Sequence, residues 1–369
     1  MKERVIVAMS GGVDSGVAAA RLVDAGYEVV GVTLHLWDYP DEGPGSHGRC
    51  CAPEDQYDAR RTADALSFAH FTFDRRDLFR SAIVDPFVDA YLSGETPSPC
   101  TACNRTVKLR ELLAIARRLN ATKIATGHYA RTGVDEEGRA FIAEGKDKQK
   151  DQSYFLYATP HELVNKLVFP LGESEKAEVR AEAVSRNLPG ATKGESQELC
   201  FVGSGQGAYA EFIELRAKER IRPGNIIDQD GHVVGQHQGL HTVTVGKRKG
   251  LGVSLGKPAF VTSIDPISAT VHVGSQEALG CSRALLDDVV LGPGISFVAG
   301  QEVRVRVRYR HEGASAIVSE VCGDRMTLTF PRKVRAVAKG QIAVLYEGER
   351  VLGGGRIAFG DYGAAAAQS

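Results

Sequence analysis

The chain has 369 residues, of which 43% are hydrophobic and 25% charged, with a formal net charge of −1. That length supports about two or three domains with ample core, and the near-zero charge excludes a protein that coats nucleic acid indiscriminately while leaving room for a local basic face. No apolar run approaches the ~20 residues of a membrane span and no signal-peptide pattern opens the chain, so a cytoplasmic protein is expected; the seven cysteines point to reactive or metal-bound thiols rather than a disulfide scaffold.

The first predicted element is a strand, Val5-Ile6-Val7-Ala8, which runs through Met9 into Ser10-Gly11-Gly12-Val13-Asp14-Ser15 and opens directly into a helix carrying Ala18, Ala19, Leu22 and Val23. Two glycines permit a tight turn with close backbone approach. Backbone amides and a positive helix end are thereby aimed at one point, where an anion can be held without any lysine. The segment has neither the Gly-Lys-Ser/Thr of a Walker loop nor the G-x-G-x-x-G of a dinucleotide fold. Ser10 and Ser15 supply hydroxyl donors, and Asp14 can hold a Mg²⁺ that bridges phosphate oxygens. We therefore read it as a loop that clasps the pyrophosphate of a nucleotide; the plainer alternative is an ordinary Gly-rich strand-to-helix turn.

Further along, 29–34 reads as a buried strand, 54–66, 79–92 and 110–119 as helices with apolar spacing near 3.6, and 123–126 as a short strand ahead of Gly127-His128-Tyr129. The alternation predicts a parallel α/β sheet, with ligands at the carboxyl ends of its strands, where the 10–15 loop, Leu34 and Gly127 would lie. His35 and Trp37 are expected as a packed strand end. Pro97-Ser98-Pro99-Cys100-Thr101-Ala102-Cys103-Asn104-Arg105 sets a C-x-x-C just ahead of the helix through Leu109, Leu112 and Leu113. A helix N-terminus with Arg105 and Lys108 nearby should favour thiolate. A C-x-x-C by itself fits a redox pair, a metal site or buried thiols, and spacing does not set Cys200 beside Cys103. Cys50 and Cys51 read as loop thiols, Cys281 and Cys322 as core, and none of His47, His70, His161 or the histidines between 232 and 241 has convincing metal spacing.

After about residue 204 the pattern changes to short strands, at 224–228, 230–234, 260–264 and 271–274, then at 284–291, 326–330 and 342–346 beyond a boundary near 276. The expected domains are 1–204, 205–275 and 276–369, the last a small β-barrel, with a disordered 363–367 tail. No internal repeat is present. In Glu302-Val303-Arg304-Val305-Arg306-Val307-Arg308-Tyr309-Arg310 the alternation sets four arginines on one side of a strand. Like charges so close repel unless an anion is near, and an RNA or DNA backbone is the expected one.

The 10–15 loop, Thr96 to Asn104, Ala125-Thr126-Gly127-His128-Tyr129-Ala130, Lys150-Asp151-Gln152-Ser153-Tyr154, Leu199-Cys200-Phe201, Gly246 to Gly252 and Val307-Arg308-Tyr309-Arg310 follow one another in an order and spacing that resemble the bacterial tRNA-specific 2-thiouridylases over nearly the whole chain. The resemblance implies an α/β domain like the PP-loop ATP pyrophosphatases followed by two small β domains. It implies an enzyme that replaces the C2 oxygen of a tRNA wobble uridine by sulfur, using ATP, Mg²⁺ and sulfur handed over by a relay protein or cysteine desulfurase. Ala8, Met9, Ser10, Gly11, Gly12, Val13, Asp14, Ser15, Leu34 and Gly127 would then bind ATP. Cys103 would be the nucleophile and Cys200 the persulfide carrier, leaving a Cys103–Cys200 disulfide after transfer. Ser98, Pro99 and Cys100 would lie near the target base, and His128, Lys150, Asp151, Gln152, Arg308, Tyr309 and Gln341 would touch tRNA.

The chain departs from the usual pattern of that family in three places. Ser98-Pro99-Cys100 stands where many members have Asn-Pro-Asp, Glu195 where Asp is usual, and Lys247 where Gln is common. With a thiol at 100, a second sulfur route is open beside the persulfide: a [4Fe–4S] cluster on Cys100, Cys103 and Cys200 with one iron left to bind hydrosulfide. Outside the resemblance, the loop alone is also compatible with an adenylating amidotransferase or ligase acting on a small acid, or with a tRNA-binding protein that merely retains nucleotide.

Overall fold

The computed structural model describes residues 2–38, 53–194, 199–203, 205, 207–253, 256 and 258–362. Cys50, Cys51, His47, Glu195 and the 363–367 tail lie outside them. Val5, Ile6 and Val7 have no exposed surface, as a strand covered on both faces requires. They form the centre of a parallel sheet whose strands are β1 (Arg4–Ala8), β2 (Glu28–His35), β3 (Ala69–Asp74), β4 (Lys123–Ala125) and, later in the chain, Leu167–Val168. Spatially β1 lies between β2 and β4, with β3 and Leu167–Val168 at the edges. The carboxyl ends of β1, β2 and β4 deliver the 10–15 loop, Leu34 and Gly127 to one side, as expected from the alternation.

Among the helices that cover this sheet, 76–92 and 99–118 are each interrupted by a π turn, at Arg80–Val84 and at Asn104–Lys108. The second corrects a sequence expectation. Helix begins at Pro99, not at 110, so the C-x-x-C lies in its first turn rather than ahead of it. Pro99 at the first position is pre-organised for helix, and the extra residue of the π turn breaks the 3.6 period that sequence periodicity relies on.

The central domain is a four-stranded sheet of Gly224–Ile227, Val233–His237, Phe260–Asp265 and Thr270–Gly274. Next come Gly280–Leu291, Glu302–Arg306, Ala314–Cys322, Arg325–Arg335, Ile342–Glu347 and Arg350–Tyr362, six antiparallel strands closed into a barrel by pairing of the first with the last. Closure brings backbones together at the last strand, where a Cβ on Gly354 would stand 2.4 Å from the Ala343 carbonyl oxygen.

A hairpin unread in the sequence, Ala130–Val134 with Ala140–Glu144, leaves the first domain and pairs with the last barrel strand at Arg350 and Ala143. Accordingly the largest apolar cluster is shared: it runs on from Ile6, Leu109, Leu112 and Tyr154 of the first domain to Ile342, Val344, Tyr346 and Val351 of the barrel.

Candidate nucleotide and thiol site

Gly11 fixes the shape of the 10–15 loop. Its φ is +70°, and a Cβ there would lie 2.0 Å from the Asp55 carbonyl oxygen, so both backbone and space demand glycine. Ser15 is buried, donates to the Gly12 carbonyl oxygen at 3.0 Å and accepts from the Ser10 amide at 3.2 Å. The helix that follows, Val13–Asp24, has Gly12 as its N-cap with no side-chain cap. Its first-turn amides are left for a ligand. Gly127 closes the loop from the side, since a Cβ there would meet the Asp14 carbonyl carbon and the Ser15 amide at 3.0 Å. Leu34 is buried below.

Sequence reasoning missed the charges that surround this loop. The Asp14 carboxylate takes both Lys176 Nζ contacts at 2.7 Å and the Tyr129 hydroxyl at 2.8 Å. Lys176 thus neutralises the carboxylate that a metal ion would use. On the other flank Lys193 bridges Asp55 at 2.8 Å and Asp58 at 2.5 Å, and burial raises the Asp55 carboxyl above its ordinary range against the pull of that lysine. Both lysines lie far from the loop in sequence, which is why no local pattern announced them.

Cys103 is buried in the large apolar cluster, against which Cys200 and Ala102 also pack, while Cys100 is exposed. The two candidate sulfurs thus share one cluster although 97 positions separate Cys103 from Cys200 (200 − 103). Phe201 locks the second of them: its ring lies 5.6 Å from Phe79, 5.1 Å from Phe87 and 6.2 Å from Trp37. Trp37 is therefore a packing residue, as expected. Among the described residues no disulfide is present, and the only histidine, cysteine or carboxylate trio close enough for one ion is Asp228, Asp230 and His232. Cys100 and Cys103 stand one turn apart in the helix that begins at Pro99. Cys322 corrects another expectation: it is exposed at the tip of a barrel hairpin, whereas Cys281 is core and burial pushes its thiol up to about 11.

The residues assigned to tRNA by resemblance fall into two groups. Arg308 is exposed, donating to the Arg335 carbonyl oxygen at 3.2 Å, and Tyr309 is half-buried with its ring 4.4 Å from Phe155. Lys150 is partly exposed. The others are engaged inside the fold. Asp151 is buried and accepts from Arg306 at 2.6 Å; Gln152 takes the Tyr129 amide at 3.0 Å; Gln341 donates to the Thr96 carbonyl oxygen at 3.0 Å. His128 meets Thr126 Oγ1 through Nδ1 at 2.7 Å, and burial with Lys108 nearby brings its pKa down to about 3. Ser98 accepts Thr101 Oγ1 at 2.7 Å, steadying Pro99 and Cys100.

The arginine strand is corrected most. It ends at Arg306, and Arg310 has φ +57°, so the alternation does not run through all four arginines. Arg304 and Arg306 face carboxylates of this same chain, Glu144 and Asp151, with Arg304 Nη2 at 2.7 Å from Glu144. Lys247 likewise turns inward, 2.5 Å from the Thr242 carbonyl oxygen.

Residues 3–204 match the family described as tRNA methyl transferase HUP domain, 210–275 its PRC-barrel domain, and 298–357 an aminomethyltransferase beta-barrel domain. Among solved structures, the NMN synthetase from Francisella tularensis is similar at 16% identity, TM-score 0.31, over 59% of this chain and 87% of that one. Full-length relatives are far nearer. The tRNA-specific 2-thiouridylase of Moorella thermoacetica is 46% identical over 95% of this chain and 98% of its own length. That of Sorangium cellulosum is 58% identical over 96% and 92%. Such identity over nearly the whole chain, with family models matched across its length, makes this chain a member of the tRNA-specific 2-thiouridylase family.

Proposed function

We propose that the chain uses ATP to replace the C2 oxygen of the wobble uridine of tRNA by sulfur, with Cys103 and Cys200 carrying the transfer. The observation behind this reading is that one chain carries both the 10–15 loop at the start of the Val13–Asp24 helix and two cysteines packed on one apolar cluster, and is 58% identical to a protein named for that activity.

A uridine carbonyl is a poor leaving group. Attack of its oxygen on the α-phosphorus of ATP expels pyrophosphate and makes AMP the group that leaves. The loop amides and the Val13–Asp24 helix end stabilise charge on the departing phosphates. Mg²⁺, arriving with ATP, would neutralise phosphate charge, with Asp14 as the carboxylate able to hold it once Lys176 is released. The terminal sulfur of a Cys200 persulfide, loaded by a relay protein or cysteine desulfurase, then attacks C2 and AMP departs. Cys103 thiolate attacks the Cys200 sulfur, which breaks the S–S bond, leaves sulfur on C2 and forms a Cys103–Cys200 disulfide; an external thiol reduces it. Lys150, Arg308 and Tyr309 supply the exposed RNA contacts.

The test is incubation with ATP, Mg²⁺, tRNA and a persulfide donor, reading 2-thiouridine by mass spectrometry. Cys103→Ser and Cys200→Ser should each lower thiolation by about a hundredfold or more while tRNA-dependent AMP release persists. Sustained thiolation by either variant would overturn the persulfide route, and its absence in the unaltered protein would overturn the reading as a whole.

A further inference from the structure

Arg306 comes from the barrel, yet its guanidinium is almost fully buried, at 7% exposure, against the first domain. Nη1 donates to Asp151 Oδ2 at 2.6 Å, and the group lies over the rings of Tyr154 and Tyr346. Asp151 is 2% exposed and also accepts from the amides of Gly145 and Ser153 and from the Ser153 hydroxyl at 3.0, 3.1 and 3.0 Å. A carboxylate so placed is tenable only with its charge matched, which ties the 151–153 turn to Arg306.

The turn reaches two other places. Gln152 exchanges hydrogen bonds with the backbone of Tyr129, amide to carbonyl oxygen at 2.8 Å and side-chain oxygen to amide at 3.0 Å, and the Tyr129 hydroxyl holds Asp14 of the phosphate loop at 2.8 Å. Phe155, at its far end, accepts Asn104 Nδ2 at 3.2 Å, one residue past Cys103. A path of hydrogen bonds and the short backbone segments between them therefore runs from the barrel to the nucleotide loop, with a branch to the thiol helix.

We propose that Arg306 is a positioning residue for the nucleotide site: through Asp151 it sets the 151–153 turn, and through Gln152 and Tyr129 it sets Asp14. The inference rests on the 10–15 loop being the ATP site. It predicts that a residue assigned by sequence pattern to an RNA-facing stripe governs ATP affinity instead.

Arg350 provides the control. It is another barrel arginine, paired with Asp135 of the first domain at 3.0 Å and lying over Phe141, but on the hairpin away from the turn. ATP binding is measured by calorimetry without tRNA, well below the melting temperature of every variant. Arg306→Lys, which keeps the charge but loses the planar fork, and Arg306→Met should weaken ATP by roughly three- to thirtyfold. Arg350→Lys and Arg350→Met should lower the melting temperature comparably and leave ATP affinity unchanged. Asp151→Asn should reproduce the loss, and adding Arg306→Met to it should weaken ATP no further. Equal shifts in the Arg306 and Arg350 variants, or none in Arg306→Lys, would overturn the proposal alone. Failure of the unaltered protein to bind ATP would overturn the nucleotide reading with it.

Discussion

Gly11 combines a left-handed backbone with a near-contact to the Asp55 carbonyl oxygen, so Gly11→Ala should destabilise the protein by about 1–3 kcal/mol and abolish ATP binding, checked by thermal melting and calorimetry. His128 carries a pH dependence of definite sign. Its folded pKa, about 3, lies below the ordinary 6.5, so the neutral ring's stability is fully present above pH 6.5 and is lost as pH falls from there toward 3. Stability should fall with pH through that window because the buried ring must take up a proton, and denaturant melts at pH 5 and 7 should show His128→Asn with a shallower slope. The cysteines differ in the same legible way: at pH 8, iodoacetamide should alkylate exposed Cys322 quickly and core Cys281, with its raised pKa, slowly, as peptide mapping would report.

At the scale of the element, the strand–loop–helix of residues 4–24 could be read directly, because its apolar run, two glycines and following helix are all local. The thiol helix could be read only in part. Its second half has a regular apolar face, whereas the π turn at Asn104–Lys108 shifts the register between that face and the cysteines. Asn104 pins the irregular turn to the Phe155 carbonyl oxygen while 4% exposed. Asn104→Ala should cost about 1–3 kcal/mol and should lower thiolation more than ATP affinity, a split that steady-state kinetics beside calorimetry would measure.

The first domain and the barrel form one packed unit. Arg105 pairs with Asp288, Arg356 with Glu95, and Tyr154 donates to the Ile342 carbonyl oxygen at 2.8 Å, all between the first domain and the barrel. Removing residues 276–369 would uncover Tyr154 and strand Asp151 without its arginine. Such a truncation should aggregate or lose amide protection over 144–155, in contrast to a chain of independent domains; hydrogen exchange on the truncated and full chains would distinguish these.

What the sequence determined by itself is what short-range chemistry determines: a phosphate loop, a parallel α/β frame, a cysteine pair near a helix start, an all-β second half, and a family. Tertiary structure decided which charges meet. Lys176 on Asp14, Lys193 on Asp55 and Arg306 on Asp151 each join residues more than a hundred positions apart. Alternation could reveal that like charges gather, but that Arg304 and Arg306 are answered by buried carboxylates depended on the hairpin that carries Glu144 against the barrel and on the turn that carries Asp151. A charge brought out of water takes the partner the fold sets beside it, and no periodicity along the chain encodes that neighbour.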